Sequence, residues 1–176
     1  MFTVGKRCTT HNLHASPETL RSLGAELHQT DRGGDITFHG PGQLVGYPVV
    51  NLRALGCGVR DYVEGLEDSL VAAAAVLGVA ARGRLPGAPG VWVGERKLAA
   101  VGVRVSGGIT THGFALNVST DLAFFAHIVP CGLTDKVCLP FSRRAAPFLA
   151  PPKMFYRMVT DASAPDDTTP ALISLD

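Results

Sequence analysis

No Cys-x-x-Cys pair, no zinc-type spacing of cysteine with histidine and no charged-then-apolar leader occurs in this chain. Its four cysteines, Cys8, Cys57, Cys131 and Cys138, therefore read as reduced thiols in the cytoplasm, and no metal site is expected. Charge of one sign is missing too. A formal net charge of +1 excludes a strongly basic nucleic-acid binder on bulk electrostatics. The longest apolar run, "LVAAAAVLGVAA", falls short of the roughly 20 residues that cross a bilayer, so no membrane partner is expected. No Gly-Lys-Ser/Thr follows a glycine-rich loop and no Gly-x-Gly-x-x-Gly opens a helix. ATP and NAD binding are unsupported, and no cofactor is expected.

What the chain does have is enough apolar material, 46% of 176 residues, for one sizeable core. Residues 1–161 read as a single domain, and 162–176, polar and proline-containing, as a disordered tail. "QLVGYPVVNL" reads as a buried strand broken at Pro48. Val59, Tyr62, Val63, Leu66, Leu70, Ala73, Ala74 and Leu77 recur at spacings of three and four, which predicts one helix face with Gly78 as its stop. "VWVGERKLAAVGVRV" predicts a β-hairpin turning at Gly94-Glu95-Arg96, and "HGFALNVS" a third strand after "SGGITT". Asp121 is placed to cap a short helix at the start of "DLAFFAHIV", leading into "PCGL". The fold class implied is α/β or α+β, a mixed sheet with flanking helices.

Three places carry reactive chemistry. "RGGDITFHGPGQ", beginning at Arg32, supplies bare backbone that serves either a tight turn or a close approach to a ligand. Cys131, in "HIVPCGL", reads as a small buried hydrophobe or as a nucleophile with neighbouring N–H groups as an oxyanion hole. Cys8, Cys57 and Cys138 read as structural. Lys97 leaves the hairpin turn, where a lysine is ordinarily solvated. Buried beside a thiol instead, its ammonium would favour the thiolate and could later exchange a proton. His39 is a rival partner for the thiol, and His112 in "TTHGFALN" reads as a satisfied strand histidine.

Taken in order, "RGGDITFHGPGQLVGYPVVNL", "GERKLAAVGVRV", "THGFALNV" and "PCGL" resemble the successive motifs of the LipB family, the lipoyl(octanoyl) transferases, over roughly Phe2 to Leu133. The resemblance implies the fold of lipoate- and biotin-protein ligase catalytic domains. It also implies transfer of an octanoyl or lipoyl group, in protein lipoylation, from acyl carrier protein to a lysine of a lipoyl domain. The acceptors would be 2-oxoacid dehydrogenase E2 subunits and the glycine cleavage H protein. By position, Cys131 would be the acyl-accepting nucleophile and Lys97 its activator. The substrate site would comprise Arg32, Gly33, Gly34, Asp35, Ile36, Thr37, Phe38 and His39, then Ala100, Val101 and Gly102, then Gly113, Phe114 and Ala115. Phe38 stands where that family has tyrosine. Family members also carry a strand and a helix ahead of "FTVGKR", so an upstream segment is expected. After Cys131 the family's Thr-Ser-Leu is replaced near Val137-Cys138-Leu139, and Pro147, Pro151 and Pro152 oppose a continuous helix. A Cys–His thioesterase or hydrolase using Cys131 and His39, and a non-catalytic relative that only binds, are the competing readings.

Overall fold

The computed structural model describes residues 1–6 and 12–128. The expectations for Cys8, Cys131, Cys138, the proline-rich stretch and the tail lie outside them. In chain order the elements are strand β1 (Phe2–Val4), helix α1 (Pro17–Ser22), strands β2 (Leu27–Gln29), β3 (Ile36–Phe38) and β4 (Gln43–Gly46), helix α2 (Val59–Val76), strands β5 (Val91–Val93), β6 (Arg96–Ser106) and β7 (Ile109–Asn117), and a 3-10 helix (Leu122–His127).

The strands form two sheets. One has the order β2-β1-β3, with β1 parallel to β2 and antiparallel to β3; the other is antiparallel, β4-β7-β6-β5. Each has its own core. Leu70, Ala73, Ala74 and Leu77, from the predicted helix face, pack with Val91, Val93, Leu98, Ala99, Phe114 and Leu116 of the larger sheet. Full burial of a side chain such as Leu70 contributes about 1.5–3 kcal/mol. Phe2, Leu20, Ile36, Phe38, Phe125 and Ile128 make the second core.

Several expectations hold with adjusted borders. The hairpin turn is two residues, Gly94-Glu95, because Arg96 already pairs with Val93. β7 starts at Ile109, three residues before His112. Asp121 does cap the short helix, its Oδ1 accepting from the Ala123 N–H at 3.0 Å. "QLVGYPVVNL" departs further. Its strand ends at Gly46, and Tyr47 and Val49 are both 41% exposed rather than buried. Pro48 has no N–H to extend the ladder, and its carbonyl instead accepts from the Thr110 hydroxyl at 2.8 Å.

The smaller core is aromatic. Phe38 stacks on Phe124 with centroids 4.7 Å apart and meets Phe125 edge-on at 5.6 Å. Phe38→Ala removes that contact set, so we expect a loss of about 3–5 kcal/mol, read as a lower urea midpoint with an unchanged slope. A loss under 1 kcal/mol would show that the cluster packs without it.

Candidate active site

Between the two sheets runs residues 31–35, and both sheets hold it. The Gly33 N–H donates to the Val103 carbonyl of β6 at 2.9 Å, while Gly5 and Lys6 N–H, just past β1, donate to the Asp35 and Arg32 carbonyls at 3.2 and 3.1 Å. The buried Arg32 side chain donates through Nη2 to the Thr3 carbonyl at 2.8 Å and its hydroxyl at 2.9 Å. Asp31 pairs with Arg104 of β6 at 2.8 Å. Backbone approaches backbone here too closely for side chains. A Cβ on Gly102 would lie 3.0 Å from the Gly33 carbonyl oxygen, and one on Gly5 would lie 2.4 Å from that of Gly34. The glycines are therefore required by the joining of the sheets.

His39 is held at both ring nitrogens. Gln43 donates its amide to the Phe38 carbonyl at 3.1 Å and to Asn117 Oδ1 at 2.9 Å. Its Oε1 thus faces His39 Nδ1 at 2.8 Å, which makes Nδ1–H the donor. Nε2 is left to accept from the Thr3 hydroxyl at 3.1 Å. Burial, with Arg32 nearby, lowers the His39 pKa against the opposing bond to Gln43. The arrangement suits a neutral, structural imidazole better than a base for a thiol.

Lys97 is buried, 4% exposed, so the ordinary solvated reading fails. A β-bulge explains why. Val91 pairs with Ala99 and Trp92 with Lys97, which makes Leu98 an extra residue in β6. Leu98 and Ala99 both enter the core under α2, as do Val91 and Val93, whereas Trp92 does not. The bulge thereby sends Lys97 to the other face with Trp92, consistent with the way bulges re-aim side chains. Lys97 Nζ sits 4.7 Å from the Trp92 ring centroid. Gly90 closes over the stem: a Cβ there would lie 3.5 Å from Lys97 Cε. Glu67, absent from the sequence reading, fixes that position. It is 2% exposed, and its carboxylate accepts from the N–H groups of Gly90 at 2.6 Å and Arg84 at 2.5 Å. The signal available was an acidic residue interrupting the apolar face of α2.

A cavity lies on the junction. Of the fourteen residues expected at the substrate site, its walls contain Arg32, Gly34, Asp35, Ile36, Thr37, His39, Ala100, Val101, Gly102, Gly113, Phe114 and Ala115. Gly33 is drawn to β6, and the Phe38 ring turns into the aromatic core. The expected exchange of a tyrosine hydroxyl for Phe38 thus concerns that core, because the ring does not line the cavity. Tyr47, Pro89 and His112 line it as well. Pro89 precedes Gly90, so the loop held by Glu67 shapes both the wall and the cover of Lys97. His112 lies in β7 as expected, but its Nδ1 is buried without a partner among the described residues.

The lowered His39 pKa has a consequence for stability. The unfolded imidazole takes a proton near pH 6.5 and the folded one only at lower pH, so the unfolded state binds more protons as the pH falls. Stability is then retained above about pH 6.5 and declines below it. Thermal unfolding of His39→Gln should show a shallower decline between about pH 6.5 and 5. Parallel curves for the two proteins would remove His39 as a source of the slope.

The family described as the lipoyl protein ligase A/B catalytic domain matches residues 1–139. The chain is 47% identical over 163 residues to "Octanoyltransferase LIP2, mitochondrial" of Arabidopsis thaliana, covering 93% of this chain and 69% of that protein. It is 50% identical over 137 residues to the octanoyltransferase of Solibacter usitatus, covering 78% and 62%. It spans about two thirds of the length of these curated relatives. A bi-partite lipoate protein ligase from Thermoplasma acidophilum, solved in a study of that ligase and its E2 lipoyl domain, superposes with a TM-score of 0.68 at 15% identity, over 92% of this chain and 65% of that one. Among the described residues no helix is long and apolar enough to cross a membrane. The paired sheets, and the three motifs within the described residues that build the junction, the bulge and the cavity, agree with these matches, and the chain belongs to the octanoyltransferase family of protein lipoylation, built on the lipoyl protein ligase A/B catalytic domain.

Proposed function

We propose that this chain transfers an octanoyl group from acyl carrier protein to a lysine of a lipoyl domain through a thioester on Cys131, in the cytoplasm. The acceptors on this reading are the lipoyl domains of 2-oxoacid dehydrogenase E2 subunits and the glycine cleavage H protein. The observation that carries it is the buried Lys97, turned by the bulge onto the face where Ala100 and Gly102 line the cavity.

The chemistry needs no nucleotide, since a thioester donor is already activated. The Cys131 thiolate attacks the octanoyl carbonyl and the carrier's thiol leaves, giving a second thioester of similar energy. The acceptor amine then attacks that carbonyl and the Cys131 thiolate leaves, with a stable amide as product. In this scheme the Lys97 ammonium stabilises the Cys131 thiolate and gives a proton to the carrier's departing thiolate. The cavity, whose walls include Ala100, Val101, Gly102, Gly113, Phe114 and Ala115, suits an unbranched apolar chain. The Cys–His hydrolase reading is weakened because both His39 nitrogens already have partners.

Incubation with octanoyl-acyl carrier protein should add one octanoyl mass to the protein, and peptide mapping should place it on Cys131. An adduct on Cys138, or one that survives Cys131→Ser, would sink the assignment. Hydrolysis is separated by product: free octanoate in place of octanoyl-lysine would favour it.

The role of Lys97 is read by titration. Lys97→Met keeps most of the stem, and each unit by which the ammonium lowers the thiol pKa corresponds to about 1.4 kcal/mol. Alkylation of Cys131 should therefore need higher pH in the variant, and an unchanged profile would rule the role out.

A further inference from the structure

His112 is the residue of the cavity wall whose conformation and partners the fold leaves unexplained. It has φ 60° in the middle of β7, opposite Val103 in the ladder. Among the described residues the other non-glycine residue with positive φ is Arg84, in a loop. Left-handed backbone is strained for a residue bearing a Cβ, and such strain persists where something else requires it. The ring makes no hydrogen bond with a described residue. Nδ1 is enclosed without a partner, so the nitrogen open to an incoming group is Nε2. The ring lies 5.4 Å from that of Tyr47, which is 41% exposed and also lines the cavity. This corner is therefore the wet end of the cavity. His39, by contrast, has both nitrogens engaged.

Resting on the octanoyl-transfer reading, we propose that His112 is a further catalytic residue, which takes the proton from the incoming lysine ammonium in the second half of the reaction. The ammonium gives one proton to His112 Nε2, and the freed lone pair attacks the acyl carbonyl of the Cys131 thioester. The C–S bond breaks, the second amine proton goes to the departing thiolate, and an amide and a Cys131 thiol remain. His112 then releases its proton to solvent at the open end. The surrounding charges allow this. Asp31 favours the imidazolium while Arg32, Arg104 and a charged His39 oppose it, and burial leads in keeping the ring neutral near pH 7. A neutral ring is what a proton acceptor requires.

The test uses His112→Asn, because asparagine tolerates left-handed backbone and lacks a base. Enzyme acylated by octanoyl-acyl carrier protein is mixed with a lipoyl domain in a single turnover, and both half-reactions are timed by intact mass across pH 5–9. The ratio of the transfer rate to the acylation rate should fall by about 10–100-fold, in the lower part of the range for general-base catalysis, without a fall in melting temperature. Added imidazole should restore part of it. A ratio within twofold of the wild type, with the same acid limb in its pH profile, would overturn the proposal. His112→Gly, which takes positive φ without strain, repeats the comparison should the asparagine variant lose its fold. Failure of the wild-type protein to form any Cys131 adduct would instead remove the octanoyl-transfer reading itself, and this proposal with it.

Discussion

Two sheets with no strand in common have to be held in register by something else, and here the backbone of residues 31–35 does it. One side bonds to β6 through Gly33 and the other to β1 through Arg32 and Asp35. The separation leaves no room for a Cβ at Gly5 or for more than a tight fit at Gly102. A cavity at this junction inherits walls from both sheets. Its shape depends on how the sheets meet, more than on any single side chain.

The same economy governs the charged groups. A lysine in a regular β6 ladder would alternate onto the face toward α2, into an apolar core where an ammonium has no place. One extra residue, Leu98, reverses its direction. Trp92 offers its ring to the ammonium, and Gly90, tethered through its N–H by Glu67, lies against the stem. Glu67 itself is tolerated because two backbone N–H groups satisfy its carboxylate. Core packing and the lysine's environment thus meet in one loop, 84–90, and neither can be altered without the other.

Histidine shows how context divides one chemistry into two. His39 lies in a chain of hydrogen bonds running from Arg32 through Thr3 to Gln43 and Asn117, which fixes its tautomer and spans both sheets. Among the described residues His112 has no such chain, and it carries backbone strain as well. Residue type alone does not separate them. The strand residues of that chain come from β1, β4 and β7, which are far apart in sequence.

Local order was legible wherever periodicity or a cap made it so: α2 by its three-and-four spacing, the β5–β6 hairpin by its apolar runs and glycine turn, the 3-10 helix by Asp121. Helix α1 was missed although Ser16 accepts from the Thr19 N–H and Pro17 follows it. Six residues are too few for periodicity to speak. Strand β2, exposed throughout, had no alternation to read. By itself the sequence determined the order of the motifs, and with them the family and the residue types brought to the cavity, because these follow from local chemistry and spacing. Tertiary structure alone decided that Lys97 is buried, that Phe38 leaves the site, that Glu67 braces it, and that His112 rather than His39 keeps an open ring nitrogen. Each of those outcomes turns on which distant strand lies opposite, and a one-residue bulge or a glycine contact settles that only once the two sheets have come together.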